Sequence, residues 1–179
     1  MSPVAIGTLF GFLTSPSVGV PALLKTLGLA SKNILLLPSG ALAAVSVAQI
    51  WATLGVNTFV ILSGLQAIPA EVYEAAKIDG AGALSRFRTV TLPLLRETII
   101  MNTVFTMINT LKIFGMILVM TRGGPYHATE VLGLFMYKKA FIEFQLGYSS
   151  AVAVVMFGVI ALLTFVQMRV SRAGTTRYY

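Results

Sequence analysis

Three stretches of this sequence are long, apolar and almost free of charge, and they limit what the chain can fold into before any motif is considered. Residues 41–65 are 25 residues without a formal charge. As helix, at roughly 1.5 Å per residue, that run exceeds the roughly 30 Å of hydrocarbon in a bilayer. Residues 98–120 form a second run, interrupted only by Lys112, and residues 146–168 a third with no charge. Lipid offers no partners to backbone N–H and C=O groups, so segments that cross it must satisfy those groups internally. The expected fold is an all-α integral membrane protein, a polytopic helix bundle. A fourth apolar run, 4–13, is too short to cross and reads as the end of a helix whose beginning is absent, so the chain is expected to lack an N-terminal part.

The composition agrees: 56% hydrophobic residues, 11% charged and a mean hydropathy of +0.86, against about 25% charged for a soluble domain. The net charge of +7 does not point to nucleic acid, because the basic residues stand singly or in pairs at the ends of apolar runs; positive flanks of membrane spans explain that pattern. No Lys or Arg precedes the first apolar run, so no cleaved leader is expected. With no cysteine, disulfides, thiolate metal sites and a cysteine nucleophile are excluded.

Orientation follows from Lys and Arg near the span ends. Lys77, Arg86, Arg88, Arg96, Arg169, Arg172 and Arg177 lie on one side, and Lys25, Lys32, Arg122, Lys138 and Lys139 on the other. Seven against five predicts that the loop 66–97 and the C-terminus are cytoplasmic. Of the other connections, 14–39 carries Pro16, Pro21 and Pro38 and is expected to be a turn-rich surface segment. Residues 121–145 begin with Gly-Gly-Pro at 123–125 and continue as an expected short helix over 129–144, with Val131, Leu134 and Phe135 on one side, as in an interfacial amphipathic helix. His127 has no ligand-type neighbours at metal spacing and reads as an ordinary surface histidine. No metal and no cofactor are expected.

Charge collects in 66–97. Pro69 suits a first helical turn, and Glu71 and Glu74 place negative charge near the positive helix end. Gly80 and Gly82 should interrupt this helix, and a second stretch, 83–90, should be stopped by Pro93. The small residues Ala75, Ala76, Gly80, Ala81 and Gly82 leave a smooth bend that another backbone can approach. A passive linker has no need of Val72, Tyr73, Ile78, Phe87 and Leu92, which must be covered either by a partner or by the chain's own bundle.

Two polar helix faces lie inside the apolar runs. Ser46, Gln49, Thr53 and Asn57 fall within about 80° at 100° per residue, and Asn102, Thr106, Asn109 and Thr110 occupy a similar arc, with Lys112 at its edge. Polar residues in membrane helices face protein or a watery cavity. Gln49, Thr53, Asn57, Asn102, Thr106 and Asn109 are therefore candidates for a solute pathway, with amides suited to sugar hydroxyls; simple interhelical hydrogen bonds are the other reading.

The string "EAAKIDGA" at 74–81, with Phe87, with Leu92-Pro93 and with the approach "GLQAIPAEVY" at 64–73, resembles the EAA loop of binding-protein-dependent ABC importer permeases. "MTRGGPYHATEVL" at 120–132 and "YKKAFIEFQLGYSSA" at 137–151 are similar to the carbohydrate and glycerol-phosphate branch, in the subunit type that carries a Gly-Gly-Pro loop. The resemblance implies the type I importer permease fold in a bacterial or archaeal inner membrane. It implies a cytoplasmic ATP-binding subunit as partner, together with a homologous second permease and an extracytoplasmic solute-binding protein. It also makes the loop a coupling helix, in which Glu74 pairs with a basic residue of the ATPase, Ala75 and Ala76 face its cleft, and Asp79 and Gly80 shape the bend. Such permeases commonly have six membrane helices, which fits the expectation of a missing N-terminal part.

The function so implied is the membrane subunit of an ATP-driven importer for a sugar or sugar-like solute. It is not an enzyme, since no Gly-rich loop ending in Gly-Lys-Ser or Gly-Lys-Thr is present to hold phosphate. A secondary transporter or channel would also use the polar faces, but would have no use for "EAAKIDGA"; an intramembrane enzyme would need a nucleophile–base pair or a His-Glu-x-x-His run, and neither occurs.

Overall fold

A computed structural model describes residues 2–28 and 33–172, so Lys32 and Arg177, both used for orientation, lie outside the described residues. All regular structure among them is helical: α1 (Pro3–Thr14), α2 (Val20–Thr26), α3 (Pro38–Gln66), α4 (Ala70–Ile78), α5 (Ala83–Arg86), α6 (Leu92–Leu111), α7 (Gly115–Met120), α8 (Leu132–Phe141) and α9 (Leu146–Arg172), with a 3₁₀ turn at Ile34–Leu36 and a π-turn at Phe87–Thr91. Two of these helices, Pro38–Gln66 and Leu146–Arg169, are long and apolar enough to cross a bilayer. The chain divides into two compact units, Met1–Ala52 with Ile108–Leu162, and Thr53–Met107 with Leu163–Tyr179; α3, α6 and α9 contribute residues to both.

In the first unit α1 packs on α7, and α7 on α8. The core joins Ile6 of α1, Ala44, Val45 and Ala48 of α3, Met116, Ile117 and Met120 of α7 and Leu134 of α8. Lipid tails are as apolar as leucine, so close packing rather than escape from water must hold such a core. The fit is tight where α1 meets α7: a Cβ on Gly7 would lie 2.9 Å from the Met116 carbonyl oxygen. Phe10 of α1 reaches Trp51 of α3 with ring centroids 5.8 Å apart.

The expected run 98–120 is helical in two pieces. α6 ends at Leu111, and Phe114, with φ −150° and ψ −39°, precedes α7. The break has a packing cause: Phe114 stacks on Tyr137 at 5.7 Å, and the chain at Ile113 and Phe114 comes so near α8 that a Cβ on Gly133 would lie 3.4 Å from the Ile113 carbonyl oxygen. The connection 14–39 contains the short helix α2, whose Pro21 is fully buried rather than at the surface. The helix expected over 129–144 is shorter, Leu132–Phe141, because residues 129–131 are used by the preceding loop. It is also no simple surface helix: Gly133, Leu134 and Ala140 are buried in it.

The second unit holds the charged loop and the halves of α3 and α6 that flank it. Here the expectation that Pro93 ends a short helix is overturned, since the chain continues as helix from Ala83 to Leu111 and Pro93 sits in the first turn of α6. A proline ring clashes with the carbonyl four residues back and lacks the N–H to bond it. The turn just before it widens to π, with Leu92 N–H donating to the Phe87 carbonyl five residues back, and this accommodates the ring.

Candidate functional site

The charged loop is two helical arms joined by a closed bend. Pro69, at φ −60° and ψ 139°, precedes α4, with Glu71 in its first turn and Lys77 in its last, both favourable to the helix dipole. The end of α4 is a Schellman motif: Gly80 N–H donates to the Lys77 carbonyl at 3.0 Å and Ala81 N–H to the Ala76 carbonyl at 2.9 Å. Gly80 occupies the left-handed position this motif needs, with φ +77°, and a Cβ there would meet nothing within 4 Å of this chain. Asp79 is the C-cap residue just before it.

Glu74, Ala75, Asp79 and Gly80 are exposed and Ala76 is half-buried. The apolar residues of the loop are not covered by the chain: Ile78 is 86% exposed and Phe87 51%. Tyr73 is the exception; its hydroxyl and that of Thr91 lie 3.0 Å apart in a hydrogen bond, and Thr91 is buried.

Of the pathway candidates, the structure brings together Asn57 and Thr106, whose hydroxyl donates to Asn57 Oδ1 at 3.1 Å. Seven residues away on α3, Gly64 meets α6 so closely that a Cβ would lie 2.7 Å from Thr98 Oγ1. Asn102, on the same stretch of α6, has its Oδ1 buried without a hydrogen-bond partner. An open groove of about 360 Å³ runs beside Asn57, walled by Thr58, Ile61, Leu62 and Leu65, and is mostly apolar. Thr53, half-buried, belongs to this unit too, whereas half-buried Gln49 and exposed Asn109 belong to the other. Lys112 is exposed.

Sequence reasoning missed how much structure the Gly-Gly-Pro loop holds. Thr121 and Thr129 hydroxyls are 2.7 Å apart, and Thr129 also donates to the Gly124 carbonyl at 2.9 Å. Gly124-Pro125 is a cis peptide, and Arg122, Tyr126 and His127 take left-handed φ values of 53°, 50° and 61°. Glu130 accepts from Lys138 Nζ at 2.6 Å and contacts His127 Nδ1. Lys138, foremost through its hydrogen bond, and the His127 ring hold the Glu130 carboxyl below the usual carboxylate range against an opposing desolvation. The spacing His127-x-x-Glu130 and a lysine two turns into the next helix were the available signals. No group of three or more metal-ligand side chains occurs among the described residues.

Comparison with known proteins fits this geometry. Residues 3–176 match the family model described as binding-protein-dependent transport system inner membrane component. The chain is 41% identical over 135 residues to the sulfoquinovosyl glycerol transport system permease protein SmoG of Agrobacterium fabrum, covering 75% of this chain and 44% of that one. It is 38% identical over 174 residues to the sn-glycerol-3-phosphate transport system permease protein UgpA of Brucella abortus, covering 94% of this chain and 58% of that one. Against the trehalose/maltose transport system permease protein MalF of Thermococcus litoralis the identity is 38% over 153 residues, with 84% and 50% covered. The chain thus spans about half the length of these relatives. In fold it is similar to a chain of a bacterial ABC transporter that imports the acidic polysaccharide alginate, with a TM-score of 0.86, 24% identity, and 98% of this chain and 62% of that one covered.

Proposed function

The chain belongs to the family of binding-protein-dependent transport system inner membrane components, and from that premise we propose that it is a membrane-spanning permease subunit of an ATP-driven importer for a sugar or sugar-like solute. The observation that carries the proposal is the loop 66–97, a pair of short helices joined by a capped bend, whose Glu74, Ala75, Asp79 and Ile78 the chain itself leaves uncovered. A loop of that kind is built to be covered by another protein. Its partner is a cytoplasmic ATP-binding subunit, acting as a dimer, with Glu74 setting docking register; a lone surface ion pair contributes only about 0–1 kcal/mol. A second permease subunit completes the pathway, and an extracytoplasmic binding protein delivers the solute. With α3, then α6 with α7, then α9 as the crossings, 66–97 and the C-terminus share a side, and the Lys and Arg bias at the span ends supports the cytoplasmic one. Thr53, Asn57, Asn102 and Thr106 are the pathway candidates that lie on α3 and α6 within one unit, while Gln49 and Asn109 extend the same helix faces in sequence.

The experiment is reconstitution in liposomes of the complete permease with its ATPase, sister permease and binding protein. Uptake is scored with labelled maltose, trehalose, sn-glycerol-3-phosphate and sulfoquinovosyl glycerol, the solutes in the names of the relatives. ATP-dependent uptake of one of them is expected, and none by this chain alone. Uptake driven by an ion gradient without ATP would instead establish a secondary transporter.

A further inference from the structure

The chain has a place where it can give on either side of α4: the connection at 67–69 before it and the bend around Gly80 and Gly82 after it. A displacement imposed on α4 would be absorbed there unless something else joined α4 to the foot of α6. The Tyr73–Thr91 hydrogen bond is such a joint, crossing 18 residues of chain at 3.0 Å. Its chemistry is telling. Threonines in these helices commonly bond their own backbone, Thr89 to the Ser85 carbonyl and Thr103 to the Ile99 carbonyl, four residues back. The carbonyl four residues behind Thr91 is that of Phe87, where the helix is wound as a π-turn with Leu92 N–H bonded from five residues on, and Thr91 bonds across the chain to Tyr73. Thr91 is 7% exposed, so its hydroxyl is turned to Tyr73 instead of to water. A π-turn is also the point in a helix where the bonding register can change, and such turns concentrate at functional positions.

We propose that Tyr73 and Thr91 form the strut of the loop, a positioning pair that delivers displacement of α4 to the π-turn at the foot of α6. The inference rests on the coupling reading given above. Without the strut α4 docks but moves independently of α6.

The chain has no cysteine, so nitroxide labels can be placed on Lys77→Cys in α4 and Glu97→Cys in α6, both exposed, in the full permease assembled with its ATPase and sister subunit. The probe is MgATP trapped with vanadate. The native loop should give one narrow label separation that persists on trapping. Tyr73→Phe or Thr91→Val should lower the ratio of that separation to wider ones about five-fold, the factor expected for one net hydrogen bond. The double variant should lose no more than either single one, and Thr91→Ser, which keeps the hydroxyl, should stay native. Trapping should also change the mobility of the Glu97→Cys label in the native and Thr91→Ser loops but not in the Thr91→Val loop, a difference that a purely structural bond would not produce. Survival of the narrow separation in Tyr73→Phe and Thr91→Val, or a Thr91→Ser loop as loose as Thr91→Val, overturns the strut. If no ATPase subunit co-purifies, the coupling reading falls, while the label separations still decide whether the strut exists.

Discussion

Gly7 and Gly11 lie one turn apart on α1, and the same substitution at each should change stability in opposite directions. Replacing a helical glycine with alanine gains about 1 kcal/mol of helix propensity. At Gly11 nothing lies within 4 Å of the new Cβ, so that gain should stand. At Gly7 the new Cβ would be 2.9 Å from the Met116 carbonyl oxygen and 3.1 Å from Met116 Cα, against an ordinary contact of 3.4–4 Å. Those atoms are backbone and cannot rotate away, so α1 and α7 must separate by several tenths of an ångström. Overpacking of this kind costs about 1–3 kcal/mol. The two variants should therefore differ by that steric cost, about 2 kcal/mol, or about 4–8 °C in Tm for a chain of this size.

Trp51 supplies the assay. It is the single tryptophan of the chain, and its ring contacts Phe10 on the helix that would be displaced. Tryptophan emission during thermal unfolding of the purified protein in detergent should give a lower midpoint for Gly7→Ala than for the native protein, and a higher one for Gly11→Ala. Equal shifts in the two variants would refute the tight α1–α7 packing.

Three further outcomes are expected. Glu74→Lys and Gly80→Asp should each abolish uptake by the assembled transporter while leaving membrane insertion intact; a Cβ at Gly80 meets nothing in this chain, but its φ of +77° strains any L side chain, so the exposed Glu74→Lys is the variant that isolates the partner, and normal uptake in both variants would exclude the docking role. In intact cells an impermeant thiol reagent should label Tyr126→Cys, a position 90% exposed, but not Ser85→Cys; the reverse pattern would invert the proposed topology, and Thr129, at 3% exposure, is too buried to serve as the outer probe. Since the folded state holds the Glu130 carboxyl below its usual range, its contribution to the Gly-Gly-Pro loop is complete above the unfolded-state value and is lost as pH falls through the folded one. Protection of the amides at 121–131, taken against their intrinsic exchange rate at each pH, should accordingly fall in acid in the native protein, and Glu130→Gln should show low protection at neutral pH with no such acid step.

The long apolar helices α3 and α9 were legible because an uncharged run longer than a bilayer leaves the chain few alternatives. The bend at Gly80 was legible for a local reason, since glycine at a helix end signals a left-handed cap. Where the sequence misled, a tertiary contact or a shift of bonding register decided the outcome. Pro93 reads as a helix stop until the π-turn before it is known, and nothing in "RFRTVTLP" announces that turn. The break after Leu111 depends on Gly133, twenty-two residues away, admitting the Ile113 backbone. His127 looked idle because its partner Glu130 is itself held by Lys138, on a helix that begins after both.

The contacts along α3 and α6 in the second unit are of unequal strength, and the inequality bears on how a pathway beside them would open. At the Gly64–Thr98 end the helices touch at van der Waals distance through a glycine and a β-branched side chain that has little freedom to rotate. At the Asn57–Thr106 end, roughly 10 Å farther at about 1.5 Å per residue, they are joined by one hydrogen bond. Interhelical hydrogen bonds in membrane proteins average about 0.6 kcal/mol, because the separated groups find other partners. A threonine hydroxyl has such a partner at hand in the carbonyl one turn back on its own helix. Asn102, between the two contacts, weakens the seam further, since a buried amide oxygen without a partner costs about 1–3 kcal/mol. Separation of α3 from α6 at Asn57 thus gives up little, whereas separation at Gly64 forfeits close packing.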